Sequence, residues 1–415
     1  MEISRGKVII MKRTSAVICE FNPFHDGHER LLQNARENGA DRVVCIMSGN
    51  FVQRGEPAIA DKYTRAKTAL LAGADLVLEL PMPFCAASAE YFAGTGVEIA
   101  ERLGCIDELL FGSELGDIRE LGIIAKNQLS DAFASLLREK YSGENGYASS
   151  AQTAYEELFG KNPALASPNN ILAIEYIKAL TRLGSRIEPR TVRREDNFSS
   201  DTICTDMPSA AALRRLIESG ETEKIKDYMP SACYAVLAEA QGTGRFPINM
   251  DKYGFAVLSA MRLASPEKLA LCKGVCGGLE NRIIQSALNA SSFEELMKLL
   301  STKKYTDARL RRTLLFSLLG VMQSDMSLHP FYVELLAVNE QGRELLSSVR
   351  KNAGIAVVTK LSDKKAVINS LCGGEREDAE RLFLIERKAE ALYTICLDET
   401  REASFFEKKK PIIEK

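Results

Sequence analysis

A chain of 415 residues, 46% apolar and 27% charged, has the length of two or three domains and the make-up of a globular protein with an ample core. Its formal net charge of −2 excludes a surface that is basic throughout, so a nucleic-acid partner would have to be met by a local basic patch. No apolar run approaches the ~18 residues needed to span a bilayer. Ten cysteines scattered along the chain, with no secretory leader, are the usage expected of a cytoplasmic protein.

The stretch from Met11 leads directly into the first strand, and Met11 is expected to be the native start, with residues 1–10 an upstream extension. Ala16–Glu20 is an apolar run of strand length, and His28–Asn38 a helix ending at Gly39. Arg42–Met47 is a second strand. Asp61–Ala72 is a helix with Asp61 as N-cap and Gly73 after it. Asp75–Leu80 is a third strand stopped by Pro81, Ala86–Leu103 a helix, and Ile106–Phe111 a fourth strand. Apolar strands spaced by helices predict a Rossmann-like α/β domain with a parallel sheet. Further helices are predicted over Ile171–Arg182 and Pro208–Ser219, with a fifth strand at Arg186–Val192. Beyond residue 225 the β signals thin out, so residues 226–415 read as a second, mostly α-helical domain after a nucleotide-binding domain over 11–225. Within it Gly242–Asn249 resembles a linker, and Glu267–Leu300, Asp307–Leu319 and Asp378–Thr394 have helical spacing. Short β-like pieces such as Ala356–Thr359 lie in the segment Val333–Lys365, and Lys408–Lys410 reads as part of a disordered tail.

The chemistry concentrates in His25-Asp26-Gly27-His28, which holds two of the three histidines in the chain. It follows a buried strand and a Pro-containing loop and opens a helix, the place where an α/β protein receives a phosphate. Imidazoles and helix N-terminal amides stabilise the charge that grows on an α-phosphate under attack. Gly27 lets the backbone approach phosphates, and Pro23 fixes the loop. A helix-start loop bearing two surface histidines would show the same letters. Asn50, Gln53 and Arg54 follow the second strand, on the edge where the His loop lies, and could face substrate or simply fill a turn. Lys303, Lys304, Arg309, Arg311 and Arg312 form the densest basic run, with Tyr305 interleaved. That pattern suits RNA, with cations on phosphates and Tyr305 stacked on a base, but equally the charged face of an amphipathic helix. The close pair Cys272 and Cys276 lacks a second Cys or His pair, so no metal site is expected.

Glu20-Phe-Asn-Pro-Phe-His-Asp-Gly-His28 resembles the signature of the His-x-Gly-His nucleotidyltransferase superfamily. More closely it resembles the bacterial tRNA(Met) cytidine acetate ligases. Similar stretches are Met47–Ala58, Gly73–Pro81, Ser88–Ala93, Phe111–Glu114, Ser167–Asn170 and Lys303–Arg312. The resemblance implies activation of acetate by ATP to acetyl-adenylate, then transfer of the acetyl group to N4 of the wobble cytidine of elongator tRNA(Met). It implies ATP binding by Val17, Ile18, Cys19, Glu20, Phe21, Asn22, Pro23, Phe24, His25, Asp26, Gly27, His28, Glu29 and Arg30, completed by Gly112, Asn170, Arg193 and Arg194. His25 and His28 would be catalytic, and Mg²⁺ is expected with ATP. An Asn amide offers both donor and acceptor to a base or ribose, though Ser167–Asn170 could be a helix cap. Arg193 and Arg194 suit phosphate, or belong to a solvated charge cluster.

Ser209 and Arg214 match the superfamily's second, phosphate-contacting motif, but with Ala211 where a hydroxyl is expected. The preceding segment Val192–Asp206 also lacks the Tyr-His pair associated with the family. Two other functions fit the tetrad: an adenylyltransferase for a phosphorylated metabolite, of the pantetheine phosphate or nicotinate nucleotide type, and a non-catalytic RNA- or nucleotide-binding protein of the same fold. A class I aminoacyl-tRNA synthetase fits less well, because no second signature lysine loop follows the His motif.

Overall fold

A computed structural model describes residues 12–141, 147–194, 208–302 and 305–414. The Met11 start, Lys303, Lys304 and most of Val192–Asp206 lie outside these residues.

Five parallel strands form where apolar runs predict them, with ends shifted by one or two residues: β1 (Thr14–Cys19), β2 (Arg42–Ser48), β3 (Leu76–Leu80), β4 (Glu108–Ser113) and β5 (Glu188–Arg193). Every residue of β1 is buried, as a central strand covered on both faces requires. Among the helices that cross between them or follow are α1 (Asp26–Glu37), α2 (Lys62–Leu71), α3 (Ala89–Leu103), α4 (Pro168–Leu183) and α5 (Ala210–Glu218). Asp61 caps α2 as expected, accepting from the amides of Tyr63 and Thr64 at 2.9 and 3.1 Å.

Residues beyond 225 are mostly helical, including α6 (Asp307–Leu319) and α7 (Gly373–Cys396), but they also return to the sheet. Strand β6 (Tyr332–Val338) runs antiparallel to β3, and β7 (Ala356–Val358) and β8 (Ile412–Ile413) both pair in parallel with β6. The sheet has eight strands in the order β8-β6-β3-β2-β1-β4-β5, with β7 also on β6, so it crosses the boundary expected near residue 225. Two other expectations need correction. Lys408–Lys410 is not a loose tail: a short 3₁₀ turn forms over Phe406–Lys408, the Lys409 ammonium sits 4.8 Å above the Phe405 ring, and β8 follows. Gly242–Asn249 is not a free linker either, because Arg245 pairs with the buried Asp61 at 3.0 Å and the Ile248 amide donates to the Ile59 carbonyl at 3.1 Å.

The strand order reverses on either side of β1, which puts a switch point between β1 and β4. Their ladder registers only Ser15 with Glu108 and Ala16 with Leu109, so the strands part toward their carboxyl ends. The His-containing loop leaves β1 at that opening, and Gly112 lies near the end of β4 opposite it.

Candidate active site

Helix α1 begins at Asp26, two residues earlier than predicted, because the histidines cap it. His25 is the N-cap and its Nδ1 accepts from the Gly27 amide at 3.0 Å. His28, three residues on, returns the favour: its Nδ1 accepts from the His25 amide at 3.3 Å. This is a capping box in which two imidazoles replace the usual Ser and Glu. The consequence is chemical. A neutral imidazole that accepts at Nδ1 carries its proton on Nε2, so both rings are fixed in the same tautomer. The rings lie 3.8 Å apart, and His28 also packs on Phe21 and Phe24, with centroids 5.0 and 5.5 Å away. Burial, then His25, then the Arg194 guanidinium push the His28 pKa well below its ordinary value, so His28 is a neutral donor near pH 7.

The loop before the tetrad is held by main-chain and side-chain bonds. Phe21 adopts a left-handed φ of 48°, rare for a bulky residue and a mark of a conformation imposed by its surroundings. Asn22 Oδ1 accepts from the Ile59 amide at 2.7 Å, and the Asn22 carbonyl accepts from Arg214 at 2.7 Å. Glu20 accepts from the Gln53 amide at 2.7 Å; burial raises its pKa against the pull of that bond and of Arg214, Arg54 and Arg65. Val17, Ile18 and Cys19 are buried in β1, so their side chains belong to the core. Asp26, Glu29 and Arg30 stand in the first turns of α1.

Across the opening, Gly112 carries Arg194 over it: a Cβ there would lie 3.1 Å from Arg194 Cγ. The Arg194 amide donates to the Ser113 carbonyl at 2.8 Å, tying the ends of β4 and β5 together. Arg193 is exposed at the end of β5. Ser209 caps α5, its hydroxyl accepting from the Ala212 amide at 3.3 Å, which puts Arg214 against the Asn22 carbonyl. The structure therefore gathers the tetrad loop, Gly112, Arg194 and Arg214 around one opening.

Two residues expected to face substrate point elsewhere. Asn170 is buried; its Oδ1 accepts from the Leu115 amide at 3.0 Å and its Nδ2 donates to the Ala164 carbonyl at 3.2 Å. Its Oδ1 thus holds the loop after β4, where Glu114 in turn caps α4 through the Asn169 and Asn170 amides at 3.2 and 2.8 Å, while its Nδ2 holds the turn before α4. Asn50 is buried too, accepting from the Lys62 amide at 2.8 Å and donating to Glu390 at 3.0 Å.

Three comparisons with known proteins place the chain in a family. The HIGH Nucleotidyl Transferase family matches residues 11–408. The tRNA(Met) cytidine acetate ligase of Acetivibrio thermocellus is 38% identical over 364 residues, covering 84% of this chain and 88% of the relative. That of Clostridium perfringens is 37% identical over 376 residues, covering 85% and 90%. The crystal structure of Thermotoga maritima TmcAL bound with alpha-thio ATP superposes with a TM-score of 0.89 at 30% identity, over 97% of this chain and 99% of that one. The chain belongs to the tRNA(Met) cytidine acetate ligase family. It is a ligase of the nucleotidyltransferase fold, with ATP as substrate.

For a ligase of this family the basic run on α6 is the natural place to look for RNA contacts, and there the structure differs from the expectation. Tyr305 is buried with the Arg309 guanidinium 4.7 Å over its ring, so it offers no open stacking face. Arg309 also donates to Cys276 Sγ at 3.5 Å, and Arg311 lies 5.4 Å over the Phe293 ring. Arg312 donates to the Gln53 carbonyl at 3.3 Å, and its desolvation lowers its pKa to about 10. This end of α6 is thus packed on the loop after β2. Gly55 makes the contact possible: its φ is +79°, and a Cβ there would lie 2.6 Å from Arg312 Cα and 2.8 Å from the Arg311 carbonyl carbon. Glu56 lies between Arg311, at 3.5 Å, and Arg214, at 3.9 Å, linking α6 to the nucleotide side.

A buried ionic cluster that sequence reasoning missed lies beside this loop. Lys62 bonds Glu79, Glu390 and Glu334 at 2.7, 3.0 and 3.2 Å, and Lys364 bonds Glu334 and Glu386 at 2.7 and 3.3 Å. Tyr63 donates to Glu334 and Tyr332 to Glu386 at 2.7 and 2.9 Å, around a cavity of about 40 Å³. Burial pushes Glu79 up to about 8 despite Lys62. Burial acts on Glu334 the same way, but Lys364 and Lys62 outweigh it and hold that carboxyl below its usual range. The cluster joins α2 and β3 to β6 and α7, and a Cβ on Gly49 would overlap the Glu79 carboxylate. A run of charged and small residues, Asp61-Lys-Tyr-Thr-Arg-Ala66, was the available signal, but charges on a helix ordinarily mean solvent.

Proposed function

We propose that this chain forms N4-acetylcytidine at the wobble position of elongator tRNA(Met) in two steps at the opening between β1 and β4. In the first, a carboxylate oxygen of acetate attacks the α-phosphorus of ATP. The bond to the bridging oxygen breaks, and pyrophosphate leaves with the electron pair. The Nε2–H groups of His25 and His28, with the N-terminal amides of α1, donate to the α-phosphate oxygens as their charge grows. Arg194 and Arg214 supply permanent positive charge for the rest of the triphosphate. Mg²⁺ is expected to arrive with ATP, held mainly by the phosphates themselves. In the second step the cytidine N4 attacks the acetyl carbonyl carbon, AMP leaves, and N4 releases one proton. Arg54, Arg309 and Arg311 would meet the tRNA backbone on the adjoining face.

The observation that carries this reading is the reciprocal cap. It spends both Nδ1 atoms on the helix and leaves both ring protons on Nε2, a pair of neutral donors at a helix N-terminus. Relatives named for the same reaction along most of the chain supply the substrates. The test is to incubate the protein with ATP, labelled acetate and unmodified tRNA, then digest the tRNA to nucleosides. Labelled N4-acetylcytidine is the expected product. Pyrophosphate release only with a phosphorylated metabolite as acceptor would overturn the reading in favour of a metabolite adenylyltransferase.

A further inference from the structure

We propose that Arg65, which lies outside every motif of the tetrad, is a positioning residue that holds the nucleotide loop in its ATP-binding shape. Arg65 sits in the first turns of α2 and is 1% exposed. Its Nε donates to the Ala60 carbonyl at 2.9 Å, Nη1 to the Glu20 carbonyl at 2.5 Å, and Nη2 to the carbonyls of Ser48, at 3.1 Å, and Gly49. Among the described residues, its hydrogen bonds go to main-chain carbonyls and none to a carboxylate.

That pattern has a physical meaning. A buried cation carries a large desolvation penalty, and burial indeed lowers the Arg65 pKa. Tyr393, Asp61 and Glu20 favour its charge from nearby, yet none of them accepts a hydrogen bond from the guanidinium, whereas Arg245 bonds Asp61 directly. Arg65 instead gathers carbonyls from three separate chain segments. Glu20 begins the tetrad loop at the end of β1, Ser48 and Gly49 begin the second loop at the end of β2, and Ala60 precedes the cap of α2. Parallel strands leave such carbonyls unpaired at their carboxyl ends, where the nucleotide enters. A planar guanidinium with five donors can bridge them at once; a lysine ammonium, a point charge on a flexible stem, cannot hold the same span. Arg65 thereby fixes where Glu20 leaves β1, and with it the approach of Phe21–His28.

The inference rests on ATP binding at the tetrad, and its test needs neither acetate nor tRNA turnover. Affinity for MgATP and, separately, for tRNA is measured in the full-length protein and in Arg65→Lys. A control is Leu296→Ala, a fully buried core change in the helix Phe293–Leu300, assayed at a temperature where both variants are folded. Arg65→Lys should weaken MgATP binding by about tenfold or more while tRNA affinity stays within about twofold, and Leu296→Ala should leave both affinities unchanged. Arg65→Gln, which buries no charge and keeps a two-donor amide, is the second variant and should weaken MgATP in the same selective way. MgATP affinity within about twofold of wild type in either variant would overturn the proposal. So would equal loss of ATP and tRNA binding, or failure of both variants to fold, because each would mark a general structural role. A wild-type protein that binds MgATP but makes no N4-acetylcytidine would sink the substrate assignment and leave this inference standing.

Discussion

His28 has two separable jobs, and two substitutions divide them. Its Nδ1 accepts the His25 amide at 3.3 Å as part of the helix cap, and its Nε2–H is the donor assigned to the α-phosphate. Asparagine places an amide oxygen where Nδ1 stood but nothing where Nε2 stood. Alanine supplies neither. Both lose the ring contacts with Phe21 and Phe24, worth about 0.5–1.5 kcal/mol. Only His28→Ala also loses the cap acceptor, worth about 1 kcal/mol. His28→Asn should therefore be the more stable variant by about 1 kcal/mol in urea unfolding. In turnover the two should be alike, because each lacks the donor; a lost oxyanion-type donor costs about 10²–10³ in kcat. The assay is N4-acetylcytidine formation at saturating ATP, acetate and tRNA, beside urea unfolding of the same preparations. Turnover in His28→Asn close to wild type would refute the reasoning, and so would activity losses that merely track stability across the pair.

Three further outcomes follow from other parts of the molecule. Burial pushes the Glu79 carboxyl from its ordinary value of 4.5 up to about 8 in the folded protein, so its contribution to stability is full below pH 4.5 and is lost as pH rises to about 8; the melting temperature should fall between about pH 4.5 and 8, and fall less in Glu79→Gln. Gly55→Ala meets both a left-handed φ and the α6 backbone, whereas Gly39→Ala meets only a φ of +89° in open space. Gly39→Ala should cost about 1–2 kcal/mol, Gly55→Ala about 1–3 kcal/mol more, and equal costs by chemical denaturation would show that the loop does not press on α6. Asn170→Asp puts a carboxylate where the Ala164 carbonyl needs a donor, so it should destabilise by about 1–3 kcal/mol in unfolding experiments, and an unchanged midpoint would place the Asn170 amide outside the core.

The parallel half of the sheet was legible because β1 to β4 are short, nearly continuous apolar runs between helices, a pattern with few other solutions. Strand β6 was not, because Glu334 interrupts its apolar run; Lys62, far away in sequence, and Lys364 pair with that carboxylate in the buried site. The tetrad was legible as the start of a helix, but not as its cap, since helix-start rules look for Ser, Thr, Asp or Asn rather than histidine. The partners of Asn50 and Asn170 were not legible because an amide's partners cannot be read from its letter; both side chains bond to the fold. Tyr305 looked like an open stacking face, but Arg309, one turn on, lies over its ring; Arg312 looked solvated, but the close approach that packs it on the loop after β2 depends on Gly55, more than 250 residues away. Arg65 and Lys62 were invisible because a charged residue on a helix is normally exposed, and only the converging carbonyls and carboxylates of distant loops bury them.

The central claim is that an acetate oxygen attacks the α-phosphorus of ATP, and isotope transfer tests it most directly. The reaction is run with tRNA, ATP and acetate carrying ¹⁸O in both carboxylate positions, and the phosphorus products are separated and weighed by mass spectrometry. Attack at the α-phosphorus, followed by transfer of the acetyl group to cytidine, leaves one ¹⁸O in AMP and none in pyrophosphate. Label in inorganic phosphate or pyrophosphate, with AMP unlabelled, would contradict the account.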